Sequence, residues 1–303
     1  MRTALQFVAI PLLIVGVAIG LYVGLSLVFD TGPKSASDFV EYLRSDTINR
    51  RWQAAYELAA RLGTGEVPDE FRNPDLVREL CRALDEARKE GEKPPRRAIL
   101  VLAILRRLGE PSTAETVRAA LDDPDPWISA HAILTLGALK DEASRARIAA
   151  LARSDDPGTR QASLEALSSL DQVKGMPFHL SAETREVALE QVGDAKEDVR
   201  FTAALVLADA GERAAALPVL RKMLDRSYLE RFPFDDRWGG LDDYRLRSVI
   251  LLKAIDRAVA LRCGDDPETM DALRRLADDK TEGESEVREA ARKALEKLQP
   301  KTE

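Results

Sequence analysis

Residues 197–211 read EDVRFTAALVLADAG, and the spacing of their side chains decides the fold. Arg200 is followed by small or apolar residues three, four and seven places on, at Ala203, Ala204 and Leu207. These offsets fall on one face of an α-helix. The same count from Arg51 reaches Ala54, Ala55 and Leu58, and from Arg160 it reaches Ser163, Leu164 and Leu167. Arg97, Arg247 and Arg288 open further copies, while Ser129 takes the arginine's place in DDPDPWISAHAILTLGAL. Seven registers with a common period predict seven pairs of helices, the marked segment being the second of each pair.

The punctuation between segments agrees. Asp123-Pro124, Asp156-Pro157 and Asp266-Pro267 each join a capping residue to a proline suited to the first helical position. Gly63, Gly109, Gly137 and Gly211 are expected just beyond helix ends, where a left-handed residue stops the turn. The composition favours helices packed through small aliphatic side chains, with 32% charged and only 5% aromatic residues. At 303 residues a chain would ordinarily make two domains, but a repeat array grows without needing a new core.

Residues 7–29, FVAIPLLIVGVAIGLYVGLSLVF, contain no charged side chain. As a helix they would extend roughly 35 Å, enough to cross a bilayer with some tilt. The stretch is longer than the apolar core of a signal peptide. It is therefore expected to be an uncleaved transmembrane anchor within residues 1–30, joined by a linker at 31–37 to a solenoid over 38–299. Gly16, Gly20 and Gly24 either let a second helix approach or reflect the general frequency of glycine in such helices. The basic residues near the span hardly differ between its ends. The chain is expected to be a single-pass membrane protein whose partners include the lipid bilayer; retention of the short basic tail at Arg2 would put the solenoid outside the cytoplasm, with the cytoplasmic side as the alternative.

The chain carries a formal charge of −7, and Arg2 is the only charged side chain before Asp30. An acidic array repels phosphate backbones, so no nucleic acid is expected as a partner. Cys81 and Cys263 are too far apart along an array to pair and are read as free, buried thiols. With no CxxC and only His131 and His179, the usual zinc spacings are absent, and neither a metal nor a cofactor is expected.

The repeats resemble the HEAT-repeat family, including the HEAT-like repeats first described in phycobilisome lyases. EDVRFTAALVLADAG and SEVREAARKALEKL (285–298) are close to the family's second helix, and KPPRRAILVLAILRRLG (93–109) is a looser match. The resemblance covers roughly residues 36–298. It implies an all-α solenoid of about seven HEAT-type helix pairs, whose second helices line a concave side, preceded here by the transmembrane helix. It says little about function, since one scaffold serves many proteins.

Enzymes built on such repeats supply tests. HEAT-like hydroxylases hold iron through adjacent His-Glu pairs, whereas His131 precedes Ala132 and His179 precedes Leu180. HEAT-like glycosylases need a basic groove, but doublets such as Arg50-Arg51, Arg96-Arg97 and Arg106-Arg107 read as turn-capping and solvated residues. No GxSxG, phosphate loop or Cys–His nucleophile is present. The expectation is a membrane-anchored scaffold or adaptor for another protein, not an enzyme. The alternative is a lyase-like or otherwise catalytic HEAT protein acting on a small ligand or chromophore, which requires a pocket of about 300 Å³ or more with converging polar groups.

Two places suit a protein partner. Tyr228, Phe232, Phe234, Trp238 and Tyr244 fall in SYLERFPFDDRWGGLDDY (227–244), expected as an aromatic loop inserted in the sixth pair. It either contacts a partner or folds back on its own repeat. Positions one, two and five after the repeat arginine are expected to face away from the core. They hold Trp52 and Tyr56 in the first pair, then Ile99 and Leu102, His131 and Leu134, Phe201 and Leu205, and Val249 and Leu252. This stripe is either a groove or tighter packing. Trp52, Tyr56, His131, Phe201, Phe232, Phe234 and Trp238 are the partner-binding candidates.

Overall fold

A computed structural model describes residues 35–63, 65–231, 243–279 and 285–299. Within them the helices follow in pairs: α1 (Ala36–Leu43) and α2 (Ile48–Leu62); α3 (Pro74–Glu90) and α4 (Arg96–Leu108); α5 (Ala114–Arg118) and α6 (Pro126–Ala138); α7 (Arg145–Leu151) and α8 (Pro157–Asp171); α9 (Ala182–Gln191) and α10 (Glu197–Asp209). The sixth pair is α11 (Arg213–Met223) with α13 (Asp243–Ala260), interrupted by the short α12 (Arg226–Glu230), and the last is α14 (Pro267–Asp278) with α15 (Ser285–Leu298). The fold is an all-helical repeat.

The chain divides into two compact units, with the boundary between Leu80 and Cys81. In the first, α1 packs on α2, and the Phe39 ring meets Phe71 edge-on at 5.9 Å. The helix α1 starts inside the stretch expected as linker. Ser35 caps it, its Oγ accepting from Asp38 N–H at 3.2 Å while the Asp38 carboxylate accepts from Ser35 N–H at 2.9 Å. This reciprocal box satisfies two amides that water would otherwise have to serve.

In the second unit the second helices form one layer, α4 against α6, α6 against α8, α8 against α10, α10 against α13 and α13 against α15. The core beneath is built from the expected positions: Leu164, Leu167, Ala203, Ala204 and Leu207 are all buried. Five of the residues that mark the repeats share a task. Arg160 donates to the carbonyls of Ser154 and Asp155 at 2.9 and 3.0 Å, Arg247 to Leu229 O at 3.1 Å and Arg288 to Asp279 O at 3.2 Å. Arg200 does the same to Asp194 O. Where serine stands in for arginine, Ser129 Oγ reaches Leu121 O at 2.7 Å. Each one satisfies a carbonyl in the segment before its own helix, where intrahelical partners run out.

Arg160 also grips Asp194 with two bonds of 2.8 Å, tying the fourth pair to the fifth. Arg88 to Asp123 at 2.7 Å likewise joins the second pair to the third, while Arg145 to Asp171 at 3.0 Å holds the two helices of the fourth pair together. Bidentate, partly buried arginine–carboxylate pairs set orientation as well as adding energy.

Several expectations change. Asp156 and Asp266 cap α8 and α14 with proline at the start, but α6 is capped by Asp125 with Pro126, not by Asp123-Pro124. Asp123 instead accepts Asp125 N–H at 3.0 Å. Gly63, Gly109 and Gly211 have positive φ, whereas Gly137 lies inside α6 and Lys140 takes the left-handed position beyond it. Cys263 is buried and Cys81 half-buried, both free.

The expected single-pass membrane localisation is corrected. No helix among the described residues is long and apolar enough to cross a membrane, and the stretch 7–29 that suggested a span lies outside those residues. The 18-residue α13 has the length, but Arg245, Arg247, Lys253, Asp256 and Arg257 make it far too polar.

Candidate functional site

The expected partner residues are placed differently from one another. In the first unit Trp52 is 6% exposed and belongs to the core, while Tyr56 is 52% exposed. In the second, Leu102 is fully buried and Phe201 is 4% exposed. The positions one and five after the repeat residue therefore do not uniformly face solvent. Neighbouring second helices pack closely enough to cover many of them. Phe232, Phe234 and Trp238 lie outside the described residues, and the segment 227–230 expected as loop is helical in α12.

His131 is half-buried on α6. Desolvation, with help from the charge of Arg106, pushes its imidazole down to about 4. It is neutral at physiological pH. His179 sits exposed after α8, so the two histidines are not brought together as ligands.

A cavity of about 420 Å³ opens between α8, α10 and α13. Its floor is apolar: Phe201, Leu205 and Val206 from α10, and Leu246, Val249 and Ile250 from α13. The α13 side chains are half-exposed there rather than closed against a neighbour. The cavity lies where the array departs from regular spacing, since α12 and residues 231–242 intervene between α11 and α13. There α10 and α13 approach one another less closely than α6 and α8 do.

The rim is charged and polar. From α8 come Gln161 and Glu165, from α10 Asp198 and Asp209, and from α13 Lys253 and Arg257. Arg257 is committed to Asp209 at 3.0 Å and to Asp256 at 3.1 Å. Glu165 accepts a hydrogen bond from the Gln161 amide at 3.2 Å. Glu165 keeps access to solvent at the mouth while protein crowds its other sides. That crowding pushes its carboxyl above the usual range, against the hydrogen bond from Gln161 and the charges of Lys253 and Arg106. Lys253 is exposed, and no hydrogen bond or ion pair holds its ammonium among the described residues.

Just past Gln172, itself a lining residue, Val173 and Met176 stand 60% and 67% exposed in the connection between α8 and α9. A second hollow of about 400 Å³ lies at the turns before α6 and α8. Its carboxylates are already engaged, Asp122 by Arg147, Asp123 by Arg88 and Asp156 by the amide of Thr159.

Of the expected stripe, Phe201, Leu205 and Val249 meet at the cavity. Glu165, Asp209, Lys253 and Arg257 went unnoticed. A signal was available: in the fourth pair, places one and five after Arg160 hold Gln161 and Glu165, between Ala130 and Leu134 of the third pair and Phe201 and Leu205 of the fifth.

Residues 82–168 match the family model for HEAT repeats. No curated protein sequence matches the chain. Among solved structures, the complex of CpcE and CpcF of phycocyanin lyase from Nostoc sp. PCC7120 is similar at a TM-score of 0.50 and 17% identity, over 89% of this chain and 97% of that one. At this identity the likeness concerns the fold. A computationally designed armadillo repeat protein for modular peptide recognition aligns over 88% of this chain and 100% of its own, with 15% identity and a TM-score of 0.41. Human deoxyhypusine hydroxylase aligns over 87% and 95%, with 15% identity and a TM-score of 0.33.

Proposed function

We propose that this chain is a helical-repeat adaptor that binds a polypeptide segment of another protein in the cavity between α8, α10 and α13, and that it acts by binding rather than by catalysis. The observation that carries this reading is the half-exposed apolar floor of Leu205, Leu246, Val249 and Ile250 beneath a charged rim. Interfaces are organised in this way, with an apolar centre that excludes water and polar groups around it. Replacing Leu205 or Val249 with a photo-crosslinking phenylalanine analogue in the full chain, with Glu289 on the last helix as control, tests the reading. Adducts to a discrete polypeptide from the cavity positions, absent at Glu289, are expected. Adducts of equal pattern from all three positions would overturn it.

A second reading has its own support. The cavity exceeds the roughly 300 Å³ that a small-ligand site needs, and its polar groups converge. A lyase-type activity on a small ligand is the form this reading takes, since the complex of CpcE and CpcF of phycocyanin lyase has a similar fold. Native mass spectrometry of the purified chain is its test: a bound small molecule lost on Val249→Glu supports it, and a mass equal to the bare chain counts against it.

A further inference from the structure

The charges around the cavity are not equally available. Arg257 is occupied by Asp209 and Asp256. Glu165 has the Gln161 amide, and the charges of Lys253 and Arg106 both act on it, so a cationic group arriving there would approach two cations already in place. Among the described residues, Lys253 carries an exposed charge at the rim with no bonded partner, whereas Asp198 is already engaged. Its charge is felt at Glu165, but among the described residues no ion pair joins the two, which leaves the ammonium able to take an incoming anion.

Lys253 also has a fixed geometric relation to the floor. Val249 lies one turn before it on α13, and residues four apart on a helix are about 6 Å apart between their β-carbons. Ile250 is three places before, on the same side. An occupant that serves both must carry its acid about that far from its apolar group. Alternate side chains of an extended strand are roughly 6.6 Å apart, and residues three or four apart on a helix are equally well spaced.

We propose that the segment bound here presents an Asp or Glu side chain to Lys253 and an apolar side chain, two places away if extended or three to four if helical, to the floor of Leu205, Val249 and Ile250. This rests on the polypeptide reading above. Charge complementarity selects the acid, and the half-exposed α13 side chains select its apolar neighbour.

The test is selection of a phage-displayed random 12-residue peptide library on the full chain, on Lys253→Glu and on Val249→Glu. Enriched peptides are then measured by fluorescence anisotropy, with dodecanoate as a non-peptide probe. The expected consensus pairs an acid with an apolar residue at one of these spacings. Lys253→Glu should weaken it roughly tenfold, as like charges then face each other, and changing the peptide's acid to lysine should restore binding to that variant. Enriched peptides that are basic, or indifferent to Lys253→Glu, yet lost on Val249→Glu, would overturn this inference and leave the polypeptide reading standing. Dodecanoate binding that Val249→Glu removes, with no peptide enriched, would overturn both, as would the absence of any Val249-dependent binding. Because Val249 is half-buried, melting curves accompany that variant. If Val249→Glu unfolds the chain, Leu246→Gln replaces it as the floor variant, and the exposed Lys253 exchange tests the charge independently.

Discussion

A β-carbon placed on Gly137 would stand 2.6 Å from the α-carbon of Ala166 and 2.7 Å from its β-carbon. The helices α6 and α8 thus approach until the backbone of one touches the other, and only glycine fits at that point. The contacting atoms belong to backbone and to alanine, so no rotamer change can make room.

Gly137→Ala should therefore destabilise the second unit by about 1–3 kcal/mol through overpacking, despite alanine's better helix propensity. Urea denaturation measures it. A variant as stable as wild type would mean that α6 and α8 are not in this close contact.

The tie between Arg160 and Asp194 should matter more than most ion pairs, because it joins successive helix pairs and also caps two carbonyls. Only 16% and 11% of the two side chains are exposed. Breaking a partly buried charged network costs about 1.5–3 kcal/mol per lost charged hydrogen bond. Arg160→Ala should show a loss of at least this size, and Arg160→Lys should recover only part of it, since an ammonium cannot match two carboxylate oxygens. Equal melting temperatures for both variants and wild type would refute this.

Two groups predict a stability that falls in acid, in different windows. Burial and Arg106 hold the folded His131 imidazole down to about 4, while an unfolded histidine titrates near 6.5. The unfolded chain therefore takes the proton first, and this contribution is present above pH ~6.5 and is lost as the pH falls toward ~4. His131→Leu should flatten that part of the stability curve. An imidazole titrating near 6.5 in an NMR experiment on the folded chain would contradict it.

Asp266 acts lower down. The hydrogen bond from Arg221, against the cost of burial and with help from Thr269, holds its carboxyl at about 2. An unfolded aspartate titrates near 3.9, so this cap stabilises the fold above pH ~4 and ceases to do so as the pH drops through ~2. Asp266→Asn should melt earlier than wild type at neutral pH, with the difference narrowing by pH 2–3. A constant difference across that range would be inconsistent with the assignment.

In the first unit, the aromatic pair separates packing from surface. Trp52 is buried and Tyr56 is open to solvent. Trp52→Ala should cost about 3–5 kcal/mol, as large core truncations do, whereas Tyr56→Ala should stay within about 0.5 kcal/mol. Thermal melts of the two variants decide it. Comparable losses would place Tyr56 in the core.

The helix pairs and their core faces were legible in the sequence because both follow from local periodicity. Three, four and seven places after Arg160 or Arg200 is one helix face whatever the surroundings, and those residues are the buried ones. The duty of the marker residue was not legible. Arg160, Arg247 and Arg288 on one hand and Ser129 on the other look unlike as side chains, and only the folded turns bring a carbonyl within reach of each. The capping residue of α6 was misplaced by one Asp-Pro step for a related reason: DDPDP offers two equivalent starts, and in the fold Asp125 takes the cap while Asp123 accepts its amide. The cavity lay furthest from a sequence reading. Glu165, Leu205, Val249 and Lys253 come from three helices up to 88 positions apart, and their meeting depends on how far α10 and α13 separate. Periodicity specifies which face a side chain occupies, but the distance between two such faces is set by the packing of whole helices.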